Sequence, residues 1–78
     1  MESKIKFDLN ELFYMEDIDV QIDDIVTTFE GDCIRVDAYF TNDTEYHGLC
    51  RLYDDKIEQI EAIEGMIVEY VKEQFEVL

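Results

Sequence analysis

IVTTFEGDCIRVDAYFTNDTEYHGLCRL, residues 25–52, alternates apolar and polar side chains through two changes of direction. A two-residue turn at Gly31-Asp32 places Phe29 opposite Ile34, Thr27 opposite Val36 and Ile25 opposite Ala38, all on one face, so the first hairpin satisfies its own hydrophobic pattern. The second hairpin offers two registers. A turn at Asn42-Asp43 sets Val36 against Leu49 but Ile34 against Arg51. A loop Asn42-Asp43-Thr44 instead pairs Phe40 with Tyr46, Val36 with Cys50 and Ile34 with Leu52, which keeps one face apolar. The loop is the preferred reading, and it predicts a three-stranded antiparallel meander.

Upstream, Ile18, Val20 and Ile22 alternate with Asp17, Asp19, Gln21 and Asp23, which extends the first strand toward the N-terminus. The alternation slips phase at Asp23-Asp24, where a bulge or a break is expected. At the start of the chain, Ile5 and Phe7 alternate with Lys4 and Lys6 as in a short strand. Asp8 and Glu11 then read as a helix-opening capping box, with Phe7 stapled to Leu12 and an apolar face of Leu9, Leu12 and Phe13. Glu16-Asp17 opposes the helix dipole and favours termination there.

The last third carries the clearest helical signal. Asp55 and Glu58 form a capping box, and Ile57, Ile60, Ile63, Ile67, Val71, Phe75 and Leu78 recur every three or four residues. Gly65, on the opposite side, implies a close approach to the backbone or a bend. The predicted fold class is therefore α+β in one domain, residues 1–78: a short N-terminal strand and helix, the meander, and a long C-terminal helix on the sheet. In this register Val26, Arg35, Tyr39, His47, Leu49, Arg51 and Tyr53 share the sheet's other face. That face is too apolar to be left to solvent. The first helix is expected to cover it, with a dimer or partner interface as the other solution.

Charge narrows the function. The chain has 21 acidic and 6 basic residues, a formal charge of -15. Direct nucleic-acid or anionic-membrane binding is disfavoured, and basic protein surfaces are attracted. No apolar leader-like run and no span-length segment is present, and two cysteines make no disulfide framework, so a cytoplasmic protein is expected.

The chemistry-bearing residues do not assemble into a catalytic or metal motif. Cys33, Cys50 and His47 fall one ligand short of a structural zinc site, and the register puts the two cysteines on opposite faces. Asp17-Ile18-Asp19-Val20-Gln21 opens like a calcium loop, but Ile22 and Thr28 stand where a glycine and a bidentate glutamate belong. His47 and Cys50 face opposite ways, which excludes a dyad. An acid–base carboxylate pair would need a shaped pocket to separate its pKa values. No enzyme, catalytic residue, cofactor or metal is therefore assigned.

What remains is the carboxylates. Glu58, Glu61, Glu69, Glu73 and Glu76 line the outer side of the C-terminal helix with Lys72 as their sole cation. Asp17, Asp19 and Asp23 project from a strand at multiples of about 6.6 Å, and Asp24, Asp43 and Glu45 crowd the turns. Duplex phosphates rise about 3.4 Å per strand, so one strand row supplies roughly half that density and several rows approximate it. Glu64, at the edge of the apolar sector, is expected to pair with Arg35 or Arg51. The expected partner is a basic, nucleic-acid-binding protein such as a nuclease, a restriction or CRISPR effector or a regulator. This protein would inhibit it by nucleic-acid charge mimicry, as phage and mobile-element anti-defence proteins do. Tyr70, Met66 or the outer-face tyrosines would serve as desolvated anchors. The alternative is an immunity, antitoxin or regulatory adaptor protein for a basic partner. A homodimer is compatible with both readings.

Overall fold

A computed structural model describes residues 1–75, so the expectations placed on Glu76 and Leu78 lie outside the described residues. The chain runs α1 (Glu2–Met15), β1 (Ile22–Glu30), β2 (Cys33–Phe40), β3 (Glu45–Arg51) and α2 (Lys56–Phe75), with the strands in the antiparallel order β1-β2-β3. The α+β layout is as read from the sequence. Among the described residues, no helix is long and apolar enough to cross a membrane.

The first hairpin has the predicted register, with Phe29 opposite Ile34, Thr27 opposite Val36 and Ile25 opposite Ala38. Gly31 makes the turn at φ +71°, a conformation that costs glycine little. The expected bulge is present, since pairing shifts between Ile22 and Asp24. β1 nevertheless begins only at Ile22, and Ile18 and Val20 belong to the preceding loop. The second hairpin keeps the predicted inward set but slides by two residues. Ile34 faces Cys50, Val36 faces Gly48, and Ala38 faces Tyr46. Its loop is Thr41-Asn42-Asp43, closed by Phe40 N–H donating to the Thr44 carbonyl and Asp43 N–H to the Phe40 carbonyl. Asp43 takes the left-handed conformation, φ 69°, and the Asn42 side chain accepts from Thr44. A side-chain oxygen that folds back on the backbone favours such a turn, and it places the loop one residue earlier than hydrophobic pairing alone suggests.

The N-terminal strand does not exist. A helix starts at Glu2 because Ile5, Leu9 and Phe13 recur at intervals of four, and all three are buried. Phe7, 64% exposed, is no staple, and Asp8 lies inside the helix, paired with Lys4 at 3.1 Å. A period-two fragment this short cannot compete with four helical turns that bury an apolar stripe.

A second stripe on α1 fixes where the helix sits. Glu2, Lys6 and Asn10 recur at the same interval of four. The Glu2 carboxylate accepts from Thr27 N–H (2.7 Å) and its hydroxyl (2.9 Å), and Lys6 Nζ donates to the Asp23 carbonyl at 2.9 Å. Asn10 accepts from Ile22 N–H (2.6 Å) and donates to the Ile22 carbonyl (3.2 Å). These are outward groups of the edge strand β1. The helix thus closes that edge while its apolar stripe joins Ile25, Ile34, Val36, Ile63 and Ile67 in one core.

Both helices therefore pack on the same side of the sheet, and the expectation that α1 covers the far side is corrected. Val26, Arg35, Tyr39, His47, Leu49 and Arg51 lie on a face that neither helix covers among the described residues, with Leu49 63% exposed. α2 buries Ile60, Ile63, Ile67 and Val71 as predicted and starts from the Asp55 cap, whose Oδ1 accepts from Ile57 N–H at 2.7 Å. Ile57 itself is 66% exposed, because the first turn of α2 overhangs the core.

Among the described residues nothing approaches Gly65: a Cβ built there meets no atom within 4 Å, so the expected close contact is absent. Gly65→Ala should raise unfolding stability by about 0.5–1 kcal/mol, through helix propensity and reduced unfolded-state entropy. Asn10→Ala should lower it by about 1–3 kcal/mol by orphaning Ile22 N–H. Urea unfolding monitored by circular dichroism measures both, and an unchanged midpoint for Asn10→Ala would contradict docking of α1 on the β1 edge.

Candidate protein-binding surface

Cations are few, and the fold engages nearly all of them. Lys4 pairs with Asp8 (3.1 Å), Lys72 reaches Glu16 at the end of α1 (3.5 Å), and Lys6 caps the Asp23 carbonyl. Arg35 lies 3.2 Å from Asp37 and 3.9 Å from Glu30, and the Arg51 guanidinium stacks 5.2 Å from the Tyr53 ring centroid. Lys72, the one cation on the outer side of α2, is thereby turned toward α1. Glu58, Glu61, Glu69 and Glu73 are left with no ion pair among the described residues, as are Asp17, Asp19, Asp23, Asp24 and Asp43.

These carboxylates divide into two groups. One end of the molecule gathers the α1–β1 loop, the β2–β3 loop and the C-terminal half of α2. Thr41 N–H donates to the Gln21 carbonyl, and the Thr41 hydroxyl accepts from Gln21 N–H. Lys72 meets Glu16, and the Tyr70 hydroxyl donates to the Glu45 carbonyl at 3.3 Å. This brings Asp17, Asp19, Asp43, Glu69 and Glu73 to a common end. Asp17 stands at φ 56°, where the chain leaves α1. Glu58 begins the same helix roughly 22 Å before Glu73 at 1.5 Å per residue, so Glu58 and Glu61 form a second group toward the opposite end. Asp23 and Asp24 sit at the bulge, where the Asp24 side chain accepts from Ile25 N–H at 2.9 Å.

Tyr70 is not a free anchor. It stacks on Phe40 and packs against Tyr46 and Phe75, with centroid separations of 5.8, 4.8 and 6.2 Å, and this aromatic cluster ties α2 to β2 and β3 at the acidic end. Glu45 is engaged on the outer sheet face, where its carboxylate lies 3.0 Å from His47 Nε2 while Asp37 lies 2.6 Å from Nδ1. Both ring nitrogens face carboxylate oxygens, an arrangement that favours the protonated ring, in which both nitrogens donate. Asp37, backed by Arg35, raises the His47 pKa first, and Glu45 adds to it. His47 in turn holds the nearly buried Asp37 carboxyl below the ordinary range.

Glu64 does not meet Arg35 or Arg51, which lie across the sheet. It faces Asp8 and Lys4 of α1, along a groove between the helices. Leu9, Leu12, Met15, Gly65 and Val68 floor this groove, and Asp8, Glu11, Glu61 and Glu64 rim it. Burial first, and then the neighbouring Asp8 carboxylate, push Glu64 up to about 7, and its Oε2 is buried without a hydrogen-bond partner among the described residues. Asp8 is held low by Lys4 and by the proton of Glu64. The two carboxyls are separated in pKa as acid–base chemistry requires, but they face each other across a helix seam rather than converging on a third group. The groove was not anticipated from the sequence. Gly65 beside Glu64 was its only local signal, because the Asp8 half depends on α1 docking. Among the described residues, no three His, Cys, Asp or Glu side chains converge to hold a metal ion.

Glu64 makes stability depend on pH. A carboxyl whose folded pKa exceeds its unfolded value binds more protons when folded, so stability falls as pH rises from 4.5 to about 7. The raised His47 continues the fall above 6.5. Thermal unfolding should therefore shift to lower temperature between mildly acidic and neutral pH, and Glu64→Gln should flatten that slope and raise the melting temperature at neutral pH. A parallel pH profile for the variant would contradict this origin. Comparison of the chain with protein-family models, with curated proteins and with solved structures gives no significant match.

Proposed function

We propose that this protein is a cytoplasmic, non-catalytic inhibitor that occupies the basic nucleic-acid site of a nuclease, a restriction or CRISPR effector or a regulator, with its carboxylates standing where phosphates would lie. The observation that carries this reading is the distribution of cations. The five with identified contacts are held at α1, at the β1 edge or on the outer sheet face, while Glu58, Glu61, Glu69 and Glu73 stand uncompensated on a 20-residue helix. Glu58 complements the positive end of the helix dipole, but Glu61, Glu69 and Glu73 add repulsion along the helix with no ion pair to offset it among the described residues, which is expected of a surface kept for a cationic counterpart. The aromatic cluster around Tyr70 pre-organises the denser acidic end, which limits the ordering cost of binding.

A second reading draws on the interhelical groove. Its apolar floor and acidic rim suit the aliphatic stem and charged head of a lysine or arginine side chain, a feature that phosphate mimicry does not require. That favours an immunity or adaptor protein for a basic partner.

Affinity capture at low and high salt from the native cell or its host, followed by titration of the captured protein with its own nucleic acid, separates the two. Charge mimicry requires mutual exclusion with the nucleic acid, and an adaptor does not. Replacing Glu58, Glu61, Glu69 and Glu73 together by Gln should weaken binding by roughly tenfold or more at low salt, mostly through the association rate, with a smaller loss at high salt. Unchanged affinity would end the electrostatic reading in both forms.

A further inference from the structure

The two edges of the sheet are treated differently. On β1 the outward groups of Ile22, Asp23 and Thr27 are taken by Asn10, Lys6 and Glu2. On β3 they are largely open. The bond from Phe40 N–H to the Thr44 carbonyl fixes the alternation of the ladder. Tyr46, Gly48 and Cys50 therefore turn their amides and carbonyls toward β2, and Glu45, His47, Leu49 and Arg51 turn theirs away. α2 takes the carbonyls at the two ends of this row. The Tyr70 hydroxyl donates to Glu45 at 3.3 Å, and the Gln59 amide donates to Arg51 at 3.1 Å. Between them, His47 and Leu49 present N–H and C=O groups with no protein partner among the described residues.

We propose that a second copy of the chain pairs with this edge, β3 against β3 about a twofold axis at Gly48, joining two three-stranded sheets into one of six strands. Charge selects this register. Three twofold antiparallel arrangements set both His47 and Leu49 against residues within Glu45–Arg51 of the second copy. Centring on His47 sets two imidazolium rings opposite each other. Centring on Leu49 sets His47 against Arg51, again two cations. Centring on Gly48 sets His47 against Leu49 and Glu45 against Arg51, and symmetry repeats that attractive pair at the other end. The surface of one copy thus complements itself, which the long acidic ridge of α2 cannot do.

Position 48 also suits the axis. A Cβ there would stand 2.6 Å from the Tyr46 hydroxyl and 3.0 Å from Met66 Cε, so the glycine lets these side chains lie against the strand. Met66 meets its own copy across the axis on the helix side. On the far side, Leu49, 63% exposed in the single chain, packs against His47 of the second copy. A charge of -15 on each copy opposes association, so the pairing strengthens with moderate salt and with concentration.

Sedimentation equilibrium or light-scattering mass measurement on the full chain, at sub-millimolar concentration and moderate salt, should give twice the chain mass. Leu49→Pro removes an outward N–H that the β2–β3 ladder does not use, so it should leave the circular dichroism spectrum intact and abolish the dimer. Glu45→Arg and Arg51→Glu should each raise the dimer dissociation constant by roughly tenfold. The two together should restore it, a rescue that loss of folding cannot imitate. A wild-type monomer under these conditions, a dimer that survives Leu49→Pro, or a double variant no better than the single ones would each overturn the proposal.

Discussion

Docking of α1 along the edge of β1 governs the rest of the structure. Two stripes of the same helix act together: Ile5, Leu9 and Phe13 enter the core, and Glu2, Lys6 and Asn10 satisfy the backbone of the strand beside it. An apolar stripe alone would accept either face of a three-stranded sheet. Hydrogen bonds to the outward groups of one edge strand permit only one placement, since buried backbone polar groups must find partners. With α1 on the side that α2 also covers, the opposite face is left without a helix, and α2 takes only the end carbonyls of the β3 edge. The helix seam in which Glu64 meets Asp8 has the same origin.

Scarcity of positive charge shapes the surface. With 6 basic residues against 21 acidic ones, each cation committed to folding leaves several carboxylates uncompensated. Arg35 and the His47 imidazolium gather around Asp37, so the outer sheet face is close to charge balance. Lys72 leaves its own helix face for Glu16, which makes the ridge of α2 more negative than the sequence implies. The low pKa of Asp37 and the high pKa of Glu64 follow from one rule. A carboxyl beside a cation stays ionised to lower pH, and one desolvated beside another carboxyl holds its proton to higher pH.

The two proposed surfaces are compatible in space. A twofold axis normal to the sheet keeps both copies of α2 on one side, so the pairing of β3 strands would set two glutamate ridges next to each other. One row of carboxylates falls short of the charge density of a duplex, which carries one charge per about 1.7 Å. Two rows narrow that difference. Repulsion between the ridges would in turn make self-association weak in the free protein and stronger on a cationic target that bridges both.

Periodicity made most of the fold legible. The Gly31-Asp32 hairpin, the bulge at Asp23-Asp24, the inward set of Ile34, Val36 and Cys50, and the stripe of α2 all follow from which positions must be apolar together. The errors lie where local patterns compete. Ile5 and Phe7 alternate like a strand, yet helical spacing from Ile5 through Leu9 to Phe13 buries more, and the Asp43 turn moved β3 by two residues without changing which face is apolar. The carboxylate surplus and the acidic outer side of α2 were likewise readable from the residues alone, because charge and helical phase are local properties. The side of the sheet taken by α1, the pairing of Glu64 with Asp8 rather than an arginine, the enclosure of Tyr70 among aromatic rings and the openness of the β3 edge emerged only in three dimensions. Each depends on contacts between segments far apart in the chain, and a pattern of spacings carries no information about which distant groups will meet.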